Sequence, residues 1–111
     1  MIDFRTMAER IGLDEADFVE MAELFVQVGC EDLKKLSAAL QQKNCNGVMV
    51  HAHSLKGASA NLGFTGIYEL SRGVEANAKA MSLDGAEAAL TGMQALLTDI
   101  SRALEETAQT R

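Results

Sequence analysis

The sequence predicts an all-α fold: an antiparallel four-helix bundle with a short additional N-terminal helix. Three observations carry this. The 111 residues include no proline and are rich in alanine, leucine, glutamate and methionine, which are strong helix formers. Apolar residues recur at spacings of three and four over long stretches, the pattern of helices with one buried face. Short breaks separate those stretches, and helices joined by short connections pack as antiparallel neighbours. A chain of this length supports one core, so residues 1–111 are read as a single domain.

Taken in order, Ile2 to Ile11 reads as the opening helix, with Phe4, Met7, Ala8 and Ile11 on its apolar side and Gly12 as its break. Asp14 is the expected N-cap of the next helix, and Glu15 and Asp17 fall in its first turn, where the helix dipole favours acids. Phe18, Met21, Ala22, Phe25, Val26, Leu33, Leu36 and Leu40 keep one phase across Gly29 and Cys30. One long helix to about Gln42 follows, with Gly29 as the point where it can bend. Lys43 to Gly47 reads as a turn. The next helix runs from about Val48 to Leu62 on the stripe Val48, Ala52, Leu55, Ser59 and Leu62, and Gly63 ends it as a C-terminal cap. Thr65 then caps a helix buried through Ile67, Leu70, Val74, Ala78 and Met81. Ser82 to Gly85 is a second turn with Asp84 as cap. The last helix carries Ala86, Leu90, Met93, Leu97, Ile100 and Leu104, then frays over Thr107 to Arg111.

A net charge of −6 argues against nucleic acid and anionic membranes as partners. No run of 18 apolar residues and no signal-peptide pattern is present, so a cytoplasmic location is expected. The Met1 start and the lack of linker composition lean towards a free-standing protein. The six methionines read as core fillers rather than ligands. Cys30 and Cys45 have no metal-ligand spacing, read as ordinary reduced thiols and receive no function.

Both histidines lie in the stretch His51 to Gly63. His53 falls off the apolar stripe, and Lys56 and Gly57, three and four residues on, share its face. Neutral imidazole is a good nitrogen nucleophile near pH 7. A phosphoryl group placed on it would add about −1.5 to −2 of charge, which a nearby ammonium such as Lys56 stabilises. Gly57 costs roughly 0.5–1 kcal/mol inside a helix relative to alanine, and room for an incoming active site over His53 is one reason for its place there. His51 lies about 200° around the helix from His53, so the two rings cannot share a metal on one face. It is expected to pack at the bundle's edge. Ser59 reads as a small core residue and Asn61 as a cap or surface residue. A metal-binding bundle would need inward Glu-x-x-His pairs, and the sequence has none.

The run His53-Ser54-Leu55-Lys56-Gly57-Ala58-Ser59-Ala60-Asn61-Leu62-Gly63 resembles the signature of histidine-containing phosphotransfer (HPt) domains, whose first histidine is phosphorylated. The resemblance extends over most of the chain and implies the same four-helix bundle. It implies a phosphorelay carrier in signal transduction, without its own kinase or ATPase site and so not an enzyme. His53 would accept a phosphoryl group from a receiver-domain aspartyl-phosphate and pass it to another receiver. Lys56 would offset the transferring charge, helped by Lys79, and Gly57 would give access. Glu75, on the next helix, matches the polar position that hydrogen-bonds the histidine. Arg72, Glu75 and Lys79 share one side of that helix off its core stripe, and Glu75 with Lys79 reads equally well as a solvated i,i+4 pair worth a few tenths of a kcal/mol. No cofactor is implied, because Mg²⁺ and the acidic cluster would belong to the receiver. The expected partners are response-regulator receivers and a sensor (hybrid) histidine kinase, with this chain a monomer. Docking would use the face around His53, with Gly57, Ala60, Phe64 and Tyr68. Two alternatives stay open: the phosphoacceptor module of a chemotaxis-type kinase, and an interaction module whose histidine is idle.

Overall fold

A computed structural model describes residues 1–110. Five helices account for most of them: α1 (Phe4–Arg10), α2 (Glu15–Gln41), α3 (Cys45–Leu62), α4 (Thr65–Lys79) and α5 (Ala86–Thr110). The first three start on side-chain caps, because the opening amide groups of a helix lack carbonyl partners. The carboxylates of Asp3 and Asp14 accept from Thr6 and Asp17. Asn44 accepts from the Gly47 amide at 3.0 Å. That bond starts α3 at Cys45, so the turn expected over Lys43 to Gly47 ends at Asn44.

Two expected caps are corrected. Phe64 occupies the N-cap of α4 without a side-chain bond, and Thr65 is the first helical residue. At α5 the carbonyl of Gly85, not of Asp84, accepts the first helical bond, from Ala89. Gly85 adopts φ +76°, a conformation that glycine takes without strain. α5 continues to Thr110 rather than fraying from Thr107, and Arg111 lies outside the described residues. α1 is shorter than Ile2 to Ile11.

α3 ends in a Schellman arrangement. The Phe64 amide reaches back to the Ser59 carbonyl, the Gly63 amide reaches Ala60, and Gly63 sits at φ +80°. The same pair of bonds closes α2 at Lys43 and α4 at Met81, where non-glycine residues hold φ +54° and +61°.

The four long helices pack in a closed ring, α2 on α3, α3 on α4, α4 on α5 and α5 on α2, while α1 packs on α2. Cross-helix pairs show the alternating directions. Ala39 abuts Gly47 while Asp32 bonds Ser54, so α2 and α3 are antiparallel. Gly66 faces Leu96 while Leu70 faces Gly92, which sets α4 against α5 in the same sense. A Cβ at Gly66 would lie 2.9 Å from Leu96 and one at Gly92 would lie 3.0 Å from Leu70. Each leucine therefore fills the space left by a glycine on the facing helix. Gly29 sits within the continuous α2 and admits Leu97 of α5.

All four phenylalanines join at one end of the bundle: Phe4 on Phe18, Phe18 on Phe64, and Phe64 stacked on Phe25 with centroids 5.0 Å apart. This chain of rings ties α1 and the α3–α4 corner to α2. Val19, Ala39 and Phe64 join the core beyond the expected stripes, whereas Ile11, Met21 and Met81 are exposed. Ile11 and Met81 fall where α1 and α4 have ended, and Met21 sits at the stripe's edge. Met93 is buried and Met7 and Met49 pack against the core, but Met1, Met21 and Met81 do not fill it. Cys30 is an exposed free thiol and Cys45 a half-buried one. No described helix is long and apolar enough to cross a membrane.

A left-handed backbone costs an L-residue about 1–2 kcal/mol, part of which glycine returns as unfolded-state entropy. Because the Met81 side chain is 78% exposed, its removal loses little packing. Met81→Gly is expected to raise stability by about 0.5–1 kcal/mol, read as a higher urea midpoint with an unchanged slope.

Candidate functional site

α3 presents His53 on its exposed side and α4 meets it with a buried carboxylate. The Glu75 side chain is 5% exposed between the two helices and the His53 ring 69% exposed above it. Glu75 Oε2 lies 2.5 Å from His53 Nδ1, and Glu75 Oε1 lies 2.5 Å from Lys56 Nζ. Lys79, one turn further along α4, brings its Nζ to 4.0 Å from Oε2 and is largely exposed. Of the two readings of Glu75, a partner of the histidine and a solvated pair with Lys79, the first is the geometry found: Glu75 faces α3 and is nearly enclosed. Lys56 is correspondingly half-buried and engaged with Glu75.

The ammonium of Lys56 holds the Glu75 carboxyl below its ordinary range; burial opposes this, and the His53 hydrogen bond and the charge of Lys79 add to it. A carboxylate can only accept hydrogen bonds. The proton between Glu75 and His53 therefore sits on Nδ1, and in the neutral ring the lone pair is left on Nε2. A buried acceptor thus selects one imidazole tautomer.

Gly57 lies one turn beyond His53, and a Cβ built there would meet no atom within 4 Å. Nothing inside the fold requires glycine at this exposed position. Arg72 is exposed and pairs with Glu69 at 3.0 Å, away from the His53 ring contacts. His51 is half-buried and Asn61 is exposed. Ser59 is buried and returns its hydroxyl to the Leu55 carbonyl at 2.7 Å. Of the expected docking residues, Ala60 is exposed and Tyr68 half-buried. Phe64 is not available, since its ring belongs to the phenylalanine cluster.

Asp32 and Ser54 were missed by sequence reasoning. Ser54 Oγ donates to Asp32 Oδ2 at 2.8 Å across the α2–α3 interface, and Asp32 is buried. Asp32 follows Glu31 in a charged stretch of α2 and carries no sign of this burial in its spacing. Two grooves run elsewhere on the molecule, one between α1 and the end of α5 and one between α2 and α5; His53 lines neither. An exposed ring outside those grooves is reachable by a macromolecular surface.

The chain is thus a ring of helices that carries one surface histidine whose tautomer a buried carboxylate selects. The family model for the Hpt domain matches residues 20–107, and the chain belongs to that family of phosphorelay phosphotransfer domains. In structure it is similar to histidine-containing phosphotransfer protein B (HptB) from Pseudomonas aeruginosa PAO1, at TM-score 0.84 and 25% identity over 99% of this chain and 96% of that one. It is also similar in fold to the HPT domain of an Hpt sensor hybrid histidine kinase from Shewanella, at TM-score 0.70 and 21% identity over 84% and 80% of the two chains. No curated protein matches it in sequence.

Removing the charge of Glu75 strands Lys56, so Glu75→Gln is expected to cost about 2–3 kcal/mol at pH 7, less than the roughly 3–5 kcal/mol for breaking a fully buried pair because the Lys56 side chain is 27% exposed. The depressed carboxyl contributes fully above its ordinary value near 4.5 and loses the contribution as pH falls through its lower folded-state value. The stability gap between wild type and variant therefore narrows as pH drops below about 4.5, as urea titrations at several pH values will show.

Proposed function

We propose that His53 is the phosphoacceptor of a phosphorelay intermediate and exchanges phosphoryl groups with the aspartates of response-regulator receiver domains. One observation carries this reading: an exposed ring with Nδ1 on a buried carboxylate and Nε2 left free. The Nε2 lone pair attacks phosphorus of the receiver's aspartyl-phosphate. A P–N bond forms, the P–O bond to the aspartyl carbonyl carbon's oxygen breaks, and the carboxylate leaves. Positive charge developing on the ring is stabilised through Nδ1–H by Glu75. Run backwards, the same step delivers the group to another receiver. Lys56 and Lys79 place positive charge beside the three phosphoryl oxygens, and Gly57 leaves the space into which the partner's active site descends.

Mg²⁺ and the acidic residues that hold it come from the receiver in this reading, and a sensor or hybrid kinase stands upstream. The chain itself acts as a monomeric carrier. Its docking face comprises His53, Gly57 and Ala60, with the exposed Val50 one turn before the histidine. Met21, Leu24 and Val28 form an exposed apolar row on α2, at helical spacing and beside α3. A row of this size fits a modest, transient contact.

Phosphoryl uptake from a panel of phosphorylated receivers tests the reading directly. Acid-labile, alkali-stable label is expected on the wild type and none on His53→Gln. Label persisting in that variant would point to His51. Uptake only from a kinase with ATP would favour a chemotaxis-type module, and none from either source would leave an interaction module. Gly57→Leu separates access from folding: transfer is expected to fall at least tenfold, while helix propensity raises stability by up to about 1 kcal/mol.

A further inference from the structure

Two consecutive residues of α3 are fastened to two different helices. His53 is hydrogen-bonded to Glu75 of α4 and Ser54 to Asp32 of α2. Asp32 is a costly group to keep there. It is buried, it forms no ion pair among the described residues, and the hydroxyl of Ser54 is the side-chain donor it meets. A buried polar side chain with one such partner is weakly justified by stability alone, since a typical intramolecular hydrogen bond contributes only about 0.5–1.5 kcal/mol net.

The packing of α3 gives this bond something to do. Val48, Leu55 and Leu62 anchor the inward stripe of the helix, and the small Ala52 and Ser59 between them leave its exact angle to be refined by contacts on its flanks. A turn of α3 by ~20° would carry its outer side-chain atoms by about 2 Å, enough to part His53 from a carboxylate now at hydrogen-bond distance. Ser54 projects about 100° around the axis from His53, so pinning it to α2 sets the angle at which His53 meets α4. We propose that Asp32 and Ser54 are positioning residues: their hydrogen bond sets the rotation of α3 so that His53 Nδ1 meets Glu75 and Nε2 faces outwards.

Glu75 from α4 meets the ring, Lys56 from α3 and Lys79 from α4 meet Glu75, and Asp32 approaches α3 from the α2 side through Ser54. The latch therefore acts through helix geometry and not by contact with the imidazole. Its effect on transfer rests on the phosphoacceptor reading, whereas its effect on the ring does not.

Imidazole nitrogen NMR of the full chain reads the ring without any phosphodonor. The wild type is expected to show His53 predominantly as the Nδ1–H tautomer. Ser54→Ala is expected to give a mixture of tautomers and about tenfold slower phosphoryl transfer from a receiver. Asp32→Asn retains an oxygen that accepts from Ser54 and is expected to behave as wild type in both measurements. The double variant Asp32→Ala with Ser54→Ala, which strands no buried acceptor, is expected to melt no lower than Ser54→Ala yet keep its mixed tautomers and slow transfer. An unchanged His53 tautomer in both folded Ser54→Ala and the double variant would overturn the proposal and leave an ordinary interhelical bond. Tautomer changes without transfer in any variant, wild type included, would uphold the latch and reject the phosphoacceptor reading.

Discussion

Placing a carboxylate between two helices costs several kcal/mol unless its oxygens are matched, and Glu75 has both oxygens engaged. One holds the imidazole of His53 and the other the ammonium of Lys56, with Lys79 at the margin. The order at the surface follows from this. Because the acid stays ionised, the ring must donate from Nδ1; because Nδ1 is committed, Nε2 is the nitrogen presented to a partner. Lys56 does two jobs of different kinds: it keeps Glu75 ionised and it adds positive charge beside the ring. An Asn or Gln in place of Glu75 could hold the ring too, but without the same preference for a protonated Nδ1 and with no charge for Lys56 to match.

The rest of the bundle provides rigidity where the site needs it and openness where a partner must enter. Glycines in two kinds of setting make the contrast. Gly66 and Gly92 are filled by leucines of the facing helix, so their missing side chains bring α4 and α5 together. Gly57 is filled by nothing, so its missing side chain leaves room outside the molecule. Beyond the C-terminal end of α3, the phenylalanine cluster closes the core and fixes the α3–α4 corner, which sets the register between the helix bearing His53 and the helix bearing Glu75.

Much of this was legible in the sequence. Periodicity revealed the helices and most of their buried faces, because it is a property of one helix at a time. The run from His53 to Gly63 carried the family. Glu75 and Lys79 were identified as candidates, but the burial of Glu75 was hidden: from within α4 the pair looks like a solvated i,i+4 contact, and only the approach of α3 encloses it. The Asp32–Ser54 bond was hidden for the same reason, since it depends on the register between two helices rather than on spacing within one. Asn44 reads as part of a turn, though its side chain is what begins α3. Met21 fits the apolar spacing yet is exposed, because a 27-residue helix drifts relative to any fixed stripe and residues at its edge turn towards solvent.

The two bonds that hold α3 each span 22 residues of chain, and each closes a different helical hairpin. Neither can form in an isolated helix, because each joins side chains of two helices. A collapsed intermediate with full helical content but loose packing would carry the same histidine without its partner acid or its fixed angle. On the proposed reading, the competence of the ring would therefore depend on the docking of both hairpins and not on helix formation alone.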